Sequence, residues 1–266
     1  MNKIIDETNL RMINAIERNF SDFFLDVAEL TNTKVCKSSN YKWVKSEGYG
    51  WPSGIFDLRL NEDEIDSEME KITSQMKTDI LPGIIMTGPL TEPKNYTYYF
   101  EKYGLIKKSE AIGMALKMSD IKTNFNAVES LDIIMLDGEE YLFDWARVVC
   151  LGLFGQAESD VMGFYNKVRR IYLLDRYSLF LGIYKGKVVS SSLLFLSNNI
   201  VGIYHVATLP EYRNMGIGKQ ITLAPLIYAR NKGYNIAILQ ATKLGEIIYE
   251  KIGFKKYCLL GRYRIR

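Results

Sequence analysis

The chain has 266 residues, 47% of them apolar, with 34 Lys and Arg against 31 Asp and Glu. That length and apolar content suit one large domain or two small ones with a proper buried core. Both charge signs are spread along the sequence, so there is no net field of the kind that draws a protein onto nucleic acid, and no nucleic-acid partner is expected. The opening twenty residues carry Asp6, Glu7 and Glu17 among their apolar ones, which excludes a secretory hydrophobic region. No later apolar run approaches the length of a membrane span, so a cytoplasmic chain without a membrane partner is expected. Cys36, Cys150 and Cys258 lie far apart and outside any CxxC pair. They read as small buried hydrophobes rather than as a disulfide framework or a metal site.

In chain order, "GIFDLRL" (54–60) predicts a strand, "EDEIDSEMEKITSQMKTDI" (62–80) a helix and "PGIIMTG" (82–88) another strand. From residue 128 the pattern is strand, two helices, three strands, helix, strand, helix, strand. "LDIIML" (131–136) is the first of these strands. Helices follow over 139–155 and 157–171, where apolar residues recur at spacings of three and four. Residues 178–208 are rich in β-branched and aromatic side chains and are broken by "KGK" and "SNN", which marks three antiparallel strands in two hairpins. A helix follows over 216–233, with Ile217, Ile221, Ala224 and Tyr228 on one face, Gly233 as its C-cap and a bend expected at Pro225. "NIAILQA" is then a buried strand, "LGEIIYEKIG" a short helix closed by Gly253, and "FKKYCLLGRYRIR" a last strand.

Residues 99–116 read like residues 248–265. Phe100 falls on Tyr249, Glu101 on Glu250, Lys102 on Lys251 and Gly104 on Gly253 at a constant offset. With the strand, helix and strand upstream of each, this indicates an internal repeat, with a division at 127/128; a chance likeness of two Gly-capped joints is the competing reading. The two halves differ where it matters for anions. Between strand and helix the first half has "NEDEID", acidic and without glycine, and the second has "PEYRNMGIGK". Only the second could hold phosphate there.

That second loop runs from a strand into a helix N-terminus, where backbone N–H groups lack partners and the helix dipole favours negative charge. Gly216 and Gly218 remove Cβ atoms from the path of phosphate oxygens, and Arg213 and Lys219 add charge at the rim. Neither a P-loop nor a three-glycine dinucleotide fingerprint is present, which disfavours nucleotide hydrolysis.

"VATLPEYRNMGIGKQI" resembles the acetyl-coenzyme A signature of the GCN5-related N-acetyltransferases (GNAT), Arg/Gln-x-x-Gly-x-Gly/Ala, met by Arg213, Gly216 and Gly218. "LQATKLGEIIYEKIGF" resembles the same family's second motif, a strand and a short helix that bears a tyrosine and closes in Gly-Phe. The resemblance implies an α/β (α+β) fold with a mixed, mostly antiparallel sheet flanked by helices. It also implies two tandem copies, a degenerate one over 1–127 and an acetyl-CoA-binding one over 128–266. Acetyl-CoA is implied as co-substrate, its pyrophosphate on the amides of Asn214, Met215, Gly216, Ile217, Gly218 and Lys219. Its pantetheine arm would run along Val206, Ala207 and Thr208 as an added strand, and a backbone N–H of that strand would polarise the thioester carbonyl. Tyr249 falls on the family's tyrosine, placed to protonate the departing thiolate.

Two positions depart from the family pattern. Thr242 stands where many relatives carry an asparagine. Gly202 lies near the position of a carboxylate that some members use as base, which leaves water, Glu158 or Asp160 to deprotonate the amine. His205 is the only histidine. Strand alternation turns it away from the face of Gly202 and Tyr204 unless a bulge shifts the register, and it reads as a core or supporting residue.

The leading expectation is an N-acetyltransferase acting on a primary amine of a small molecule or peptide. The alternatives are an acyl-CoA-binding sensor without turnover, and a first half that serves as an interaction domain, with which a homodimer is compatible. Arg262, Arg264 and Arg266 alternate at the C-terminus, as a solvated strand face or as a grip on an acidic acceptor. The acceptor itself is not legible.

Overall fold

The computed structural model describes residues 7–31, 33–47 and 50–266; Asp6 lies outside them. The chain forms two compact units, one of residues Met1–Gly113 with Lys256–Arg266, the other of Met114–Lys255. The sequence places the division at 127/128 and leaves the last strand with the second half; the structure gives that strand to the first unit. No helix among the described residues is long and apolar enough to cross a membrane.

The first unit contains α1 (Glu7–Leu30), β1 (Lys34–Lys37), β2 (Lys42–Lys45), β3 (Ser53–Phe56), α2 (Ile65–Lys77), β4 (Ile85–Thr87), α3 (Tyr96–Lys102) and most of β5 (Leu105–Lys117). Along α1, Met12, Ile13, Ile16, Phe23, Phe24 and Val27 recur at helical spacing and are buried. β1, β2 and β3 form an antiparallel meander, and β4 lies parallel to β3. The C-terminal strand, β11 (Lys255–Ile265), pairs antiparallel with β4 through Gly261, Arg262 and Tyr263. Tyr263 explains its membership: the ring packs against Phe100 and Tyr96 and is buried in one cluster with Ile55, Met69 and Ile85. Arg262 and Arg264, on the opposite parity, are exposed.

The second unit contains β6 (Leu131–Met135), α4 (Leu142–Val148), a turn of π-helix (Val149–Phe154), α5 (Glu158–Val168), β7 (Tyr177–Tyr184), β8 (Lys187–Ser197), β9 (Ile200–Thr208), α6 (Ile217–Asn231), β10 (Ile236–Ala241) and α7 (Lys243–Ile252). β6 to β9 form an antiparallel meander and β10 joins β9 in parallel, so the sheet is mixed and mostly antiparallel, as expected. Tyr204 pairs with Leu193, and His205, one residue on, packs on Trp145 of α4 and Phe164 of α5. Ser192, on the other parity, points to α6. α4 and α5 therefore cover one face of the sheet and α6 the other.

α6 runs unbroken through Pro225, and its buried stripe passes through Ile217, Ile221, Pro225 and Ala229, with Ala224 and Tyr228 at the margin. Proline lacks the N–H that would bond the carbonyl four residues back. The Ser192 hydroxyl takes that place, donating to the Ile221 oxygen at 2.8 Å.

Candidate functional site

The site begins where two parallel strands part. β10 pairs with β9 only at Ile236↔Ile200, Ala237↔Val201 and Ile238↔Gly202. From Ile203 onward β9 keeps β8 as its partner on one edge, and β10 has left the other. An edge with unpaired main-chain N–H and C=O groups is a template for an extended, amide-bearing molecule.

A bulge sits at the point of divergence. Tyr204 pairs with Leu193 and Ala207 with Ser191, so His205 and Val206 together oppose Ser192. His205 has φ 48°, the left-handed conformation such a bulge uses. This is the register shift that the alternation argument named as its exception, and it turns His205 onto the face of α4 and α5. There the imidazole is buried among Trp145, Phe154 and Phe164, with ring centroids at 5.5, 5.9 and 5.6 Å. Burial pushes its pKa down to about 3, so it is neutral near pH 7 and too weak a base to deprotonate an amine.

Val206 closes the bulge, and Ala207 and Thr208 follow it. Ala207 is buried against the π-turn, where a Cβ on Gly152 would lie 3.2 Å from Ala207 Cβ and from the Thr208 oxygen. Thr208 turns the other way, towards the start of α6.

The glycine loop lies between these strands and α6. Asn214 and Gly216 both take left-handed backbone, with φ 63° and 84°, and Gly216 caps the helix. Among the described residues, the backbone N–H groups of Asn214, Met215, Gly216, Ile217 and Gly218 donate to no protein acceptor; the Lys219 amide is used, reaching the Gly216 oxygen at 3.2 Å. No acidic residue stands in the first turn of α6. Alternating left-handed residues before a helix N-terminus make a concave row of donors, the form of an anion nest. A side chain at Gly218 would project between Thr208 Oγ1 and Ile248 Cδ1, both 3.7 Å from its Cβ position, into the groove between β9 and α7. The residues present therefore fit the pyrophosphate of a coenzyme.

The two cations expected at the rim are both engaged by the protein. Arg213 donates from Nε to the Thr208 oxygen at 3.1 Å and from Nη2 to the Gly152 oxygen at 2.8 Å. It braces the loop against the end of β9 and the π-turn. Lys219 holds its ammonium 3.8 Å from the centroid of Phe125, in the irregular stretch before β6. The same stretch meets α6 again through Gln220 Nε2, which donates to the Asn126 oxygen at 3.1 Å. The sequence carried no signal for these contacts.

Tyr249 lies on α7, which starts at the open end of β10. Thr242 caps that helix, its Oγ1 accepting from the Gly245 amide at 3.1 Å. The Tyr249 ring lies back over Gly245, so closely that a Cβ there would sit 2.9 Å from Cε2. The ring is half-buried against Phe254, and desolvation pushes the phenol pKa up to about 12. The hydroxyl therefore keeps its proton near pH 7, and among the described residues it has no hydrogen-bond partner. Glu158 and Asp160 are less free: Glu158 pairs with Arg147, whose Nε lies 2.8 Å away, and Asp160 accepts from the Ala157 amide at 3.1 Å.

The corresponding place in the first unit is built differently. β3 and β4 share one parallel register pair, Ile55↔Ile85, and the chain beyond them closes again. Leu60 N–H donates to the Glu92 oxygen at 3.1 Å, and Glu92 N–H to the Leu58 oxygen at 2.9 Å. α2 opens on Glu64, Asp66 and Glu68. Phe100, which the sequence likeness aligns with Tyr249, is 1% exposed and has no hydroxyl.

The model of the acetyltransferase (GNAT) domain matches residues 175–256, a span that holds the diverging strands, the glycine loop and Tyr249. Among solved structures, the chain is similar to a GCN5-related N-acetyltransferase from Kribbella flavida, with TM-score 0.70 at 12% identity over 94% of this chain and 95% of that one. It is similar also to a tandem GNAT protein from the clavulanic acid biosynthesis pathway, with TM-score 0.62 at 10% identity over 97% and 94% of the two chains. A GCN5-related N-acetyltransferase from Sphaerobacter thermophilus matches with TM-score 0.61 at 11% identity over 96% and 92%. At such identities the likeness establishes the fold. No curated protein matches the chain. Residues 175–256 thus match an acetyltransferase (GNAT) domain, a domain type that supports acyl transfer, and the chain has the fold of the GCN5-related N-acetyltransferases.

Proposed function

We propose that the chain is an N-acetyltransferase that moves the acetyl group of acetyl-CoA to a primary amine of a small molecule or peptide. The observation that carries this reading is the conjunction, around one groove, of a parted strand pair with five adjacent amides and a protonated Tyr249 hydroxyl that have no protein partners among the described residues. The loop amides from Asn214 to Gly218 hold the pyrophosphate, and the Lys219 amide, bonded to the Gly216 oxygen, is left out of the set the sequence suggests. The open edge along Val206, Ala207 and Thr208 pairs with the amides of the pantetheine arm, and a backbone N–H there orients the thioester carbonyl. The amine nitrogen forms the new N–C bond while the C–S bond breaks, its electron pair leaving with sulfur. Tyr249 Oη gives its proton to that sulfur and is reprotonated from solvent. The proton lost by the amine passes to water, because Asp160 caps its own helix and Glu158 is paired with Arg147.

The first unit is read as a degenerate copy of the same architecture, without a coenzyme site. Its resealed strand junction, acidic helix start and Phe100 support this.

The test is mass-spectrometric detection of acetylated product and free coenzyme A thiol, with acetyl-CoA and a panel of primary amines, for wild type and Tyr249→Phe. Turnover that falls at least about tenfold in Tyr249→Phe, with acetyl-CoA affinity unchanged, is the expected result. Tight binding of acetyl-CoA with no thiol released for any amine would favour the sensor reading.

A further inference from the structure

Gln240 stands on β10 two residues beyond Ile238, the last residue paired with β9. Parallel partners share a face, so Ile238 lies on the face of Gly202, and strand alternation puts Gln240 on that face too. This is the side of Tyr204 and of α4 and α5, opposite α6. The other residues of β10 are Ile236, Ala237, Ile238, Leu239 and Ala241, all buried and apolar. Gln240 is the exception, and its Nε2 is shut off from solvent with no hydrogen-bond partner among the described residues. A buried amide donor in that state is costly to keep, and a folded protein holds few of them without a use.

Resting on the acetyltransferase reading, we propose that Gln240 is a specificity residue, its Nε2–H donating to an oxygen carried by the acceptor. The donor is uncharged, and Gly202, Tyr204, Ile238 and the neutral His205 on the same face bring no cation to offset a buried carboxylate. The oxygen is therefore neutral. The acceptor class is a primary amine with a carbonyl group beside the reacting nitrogen, as in an amino-acid amide or a peptide N-terminus, rather than a plain alkylamine. A site built to satisfy such an oxygen discriminates strongly against the analogue that lacks it.

The experiment compares kcat/KM for glycinamide and for n-propylamine at saturating acetyl-CoA, in wild type and Gln240→Leu. Taking the ratio of the two amines within each protein, and then between proteins, cancels their different basicities. Wild type is expected to prefer glycinamide, and Gln240→Leu to lose about tenfold of that preference, mainly through KM for glycinamide. An equal ratio in both proteins overturns the assignment, as does failure to use either amine by a wild type that binds acetyl-CoA. Absence of acetyl-CoA binding would instead strike the acetyltransferase reading. Thermal melting of the unliganded proteins then still decides the state of Gln240. If its donor has no protein partner, Gln240→Leu melts no lower than wild type; a clear fall in Tm would mean that the amide is already spent inside the protein.

Discussion

Arg213 Nη2 donates to the carbonyl oxygen of Gly152 at 2.8 Å, tying the glycine loop to the π-turn that packs on the end of β9. The guanidinium is thus a brace whose charge is directed at two backbone oxygens. Arg213→Ala should weaken acetyl-CoA binding about tenfold or more, since two hydrogen bonds from a charged donor are lost and the loop is released. Calorimetric titration at two salt concentrations checks this: the loss should be nearly the same at both. A loss confined to low salt would make Arg213 a long-range attractor of phosphate instead.

Lys219 is positioned by Phe125, with 3.8 Å between the ammonium and the ring centroid. A cation–π contact is worth about 0.5–2 kcal/mol, so Phe125→Ala should weaken coenzyme binding several-fold by freeing the lysine. The same substitution in a Lys219→Met background should then have little further effect. A double-mutant cycle measures that coupling, and additive losses would show that Phe125 acts by another route.

The Ser192 hydroxyl completes the hydrogen bond that Pro225 cannot make to Ile221. Ser192→Ala should cost about 1–3 kcal/mol by leaving a buried carbonyl unsatisfied. Pro225→Ala restores an N–H at the helical position, so Ser192→Ala should be milder in that background. Denaturant unfolding of the four proteins in the cycle tests this, and equal costs in both backgrounds would refute it.

In the first unit Glu17 lines a cavity of about 20 Å³ with Ser21, Asp57, Phe56 and Met86. Its carboxylate accepts from the Leu90 amide at 3.0 Å, yet burial, with a smaller push from Asp57, raises its pKa to about 7 from the ordinary 4.5. Lys94 and Arg59 oppose the shift, and Cys258 lies within its field. Between these two pKa values the folded state holds a proton that the unfolded state has released. The stabilisation from protonated Glu17 is therefore full below about 4.5 and is lost as pH rises through about 7. Glu17→Gln should melt at a higher temperature than wild type at pH 8, and the gap should close by pH 4.5. Taking the difference between the two proteins removes His205, whose lowered pKa acts in the opposite sense between 6.5 and about 3.

The same low pKa of His205 predicts a rate profile without a step near 6.5. In Michaelis kinetics from pH 5.5 to 7.5, once ionisation of the amine is allowed for, kcat should show no imidazole titration. A step there that vanished in His205→Gln would return His205 to the chemistry.

What the sequence disclosed follows from the range of each interaction. The glycine loop, α6 and α7 were legible because their signals are local: left-handed positions at Gly216, Gly233 and Gly253, and apolar residues spaced by a helical turn. β1 and β2 have four residues each, too few for alternation to mark them as strands in the sequence. The bulge at His205 is a count of two residues against one on another strand, so it is fixed by pairing and not by side-chain type. The place of β11 depends on which core receives Tyr263, which is equally long-range. Gln240 is a polar residue in an otherwise apolar strand, and its place beside the parted strands depends on where β10 leaves β9, which is long-range as well.

If the glycine loop and the parted strands hold acetyl-CoA, Gly218→Glu should abolish that binding. Gly218 has no positive φ, its Cβ position meets only Thr208 and Ile248 at ordinary contact distance, and a carboxylate in the first turn of α6 favours the helix. The substitution should leave Tm unchanged while filling the groove and repelling phosphate. Calorimetric titration with acetyl-CoA should give saturable one-to-one binding for wild type and none for Gly218→Glu. Equal binding by both proteins, or none by wild type, would show that the loop and the parted strands are not a coenzyme site.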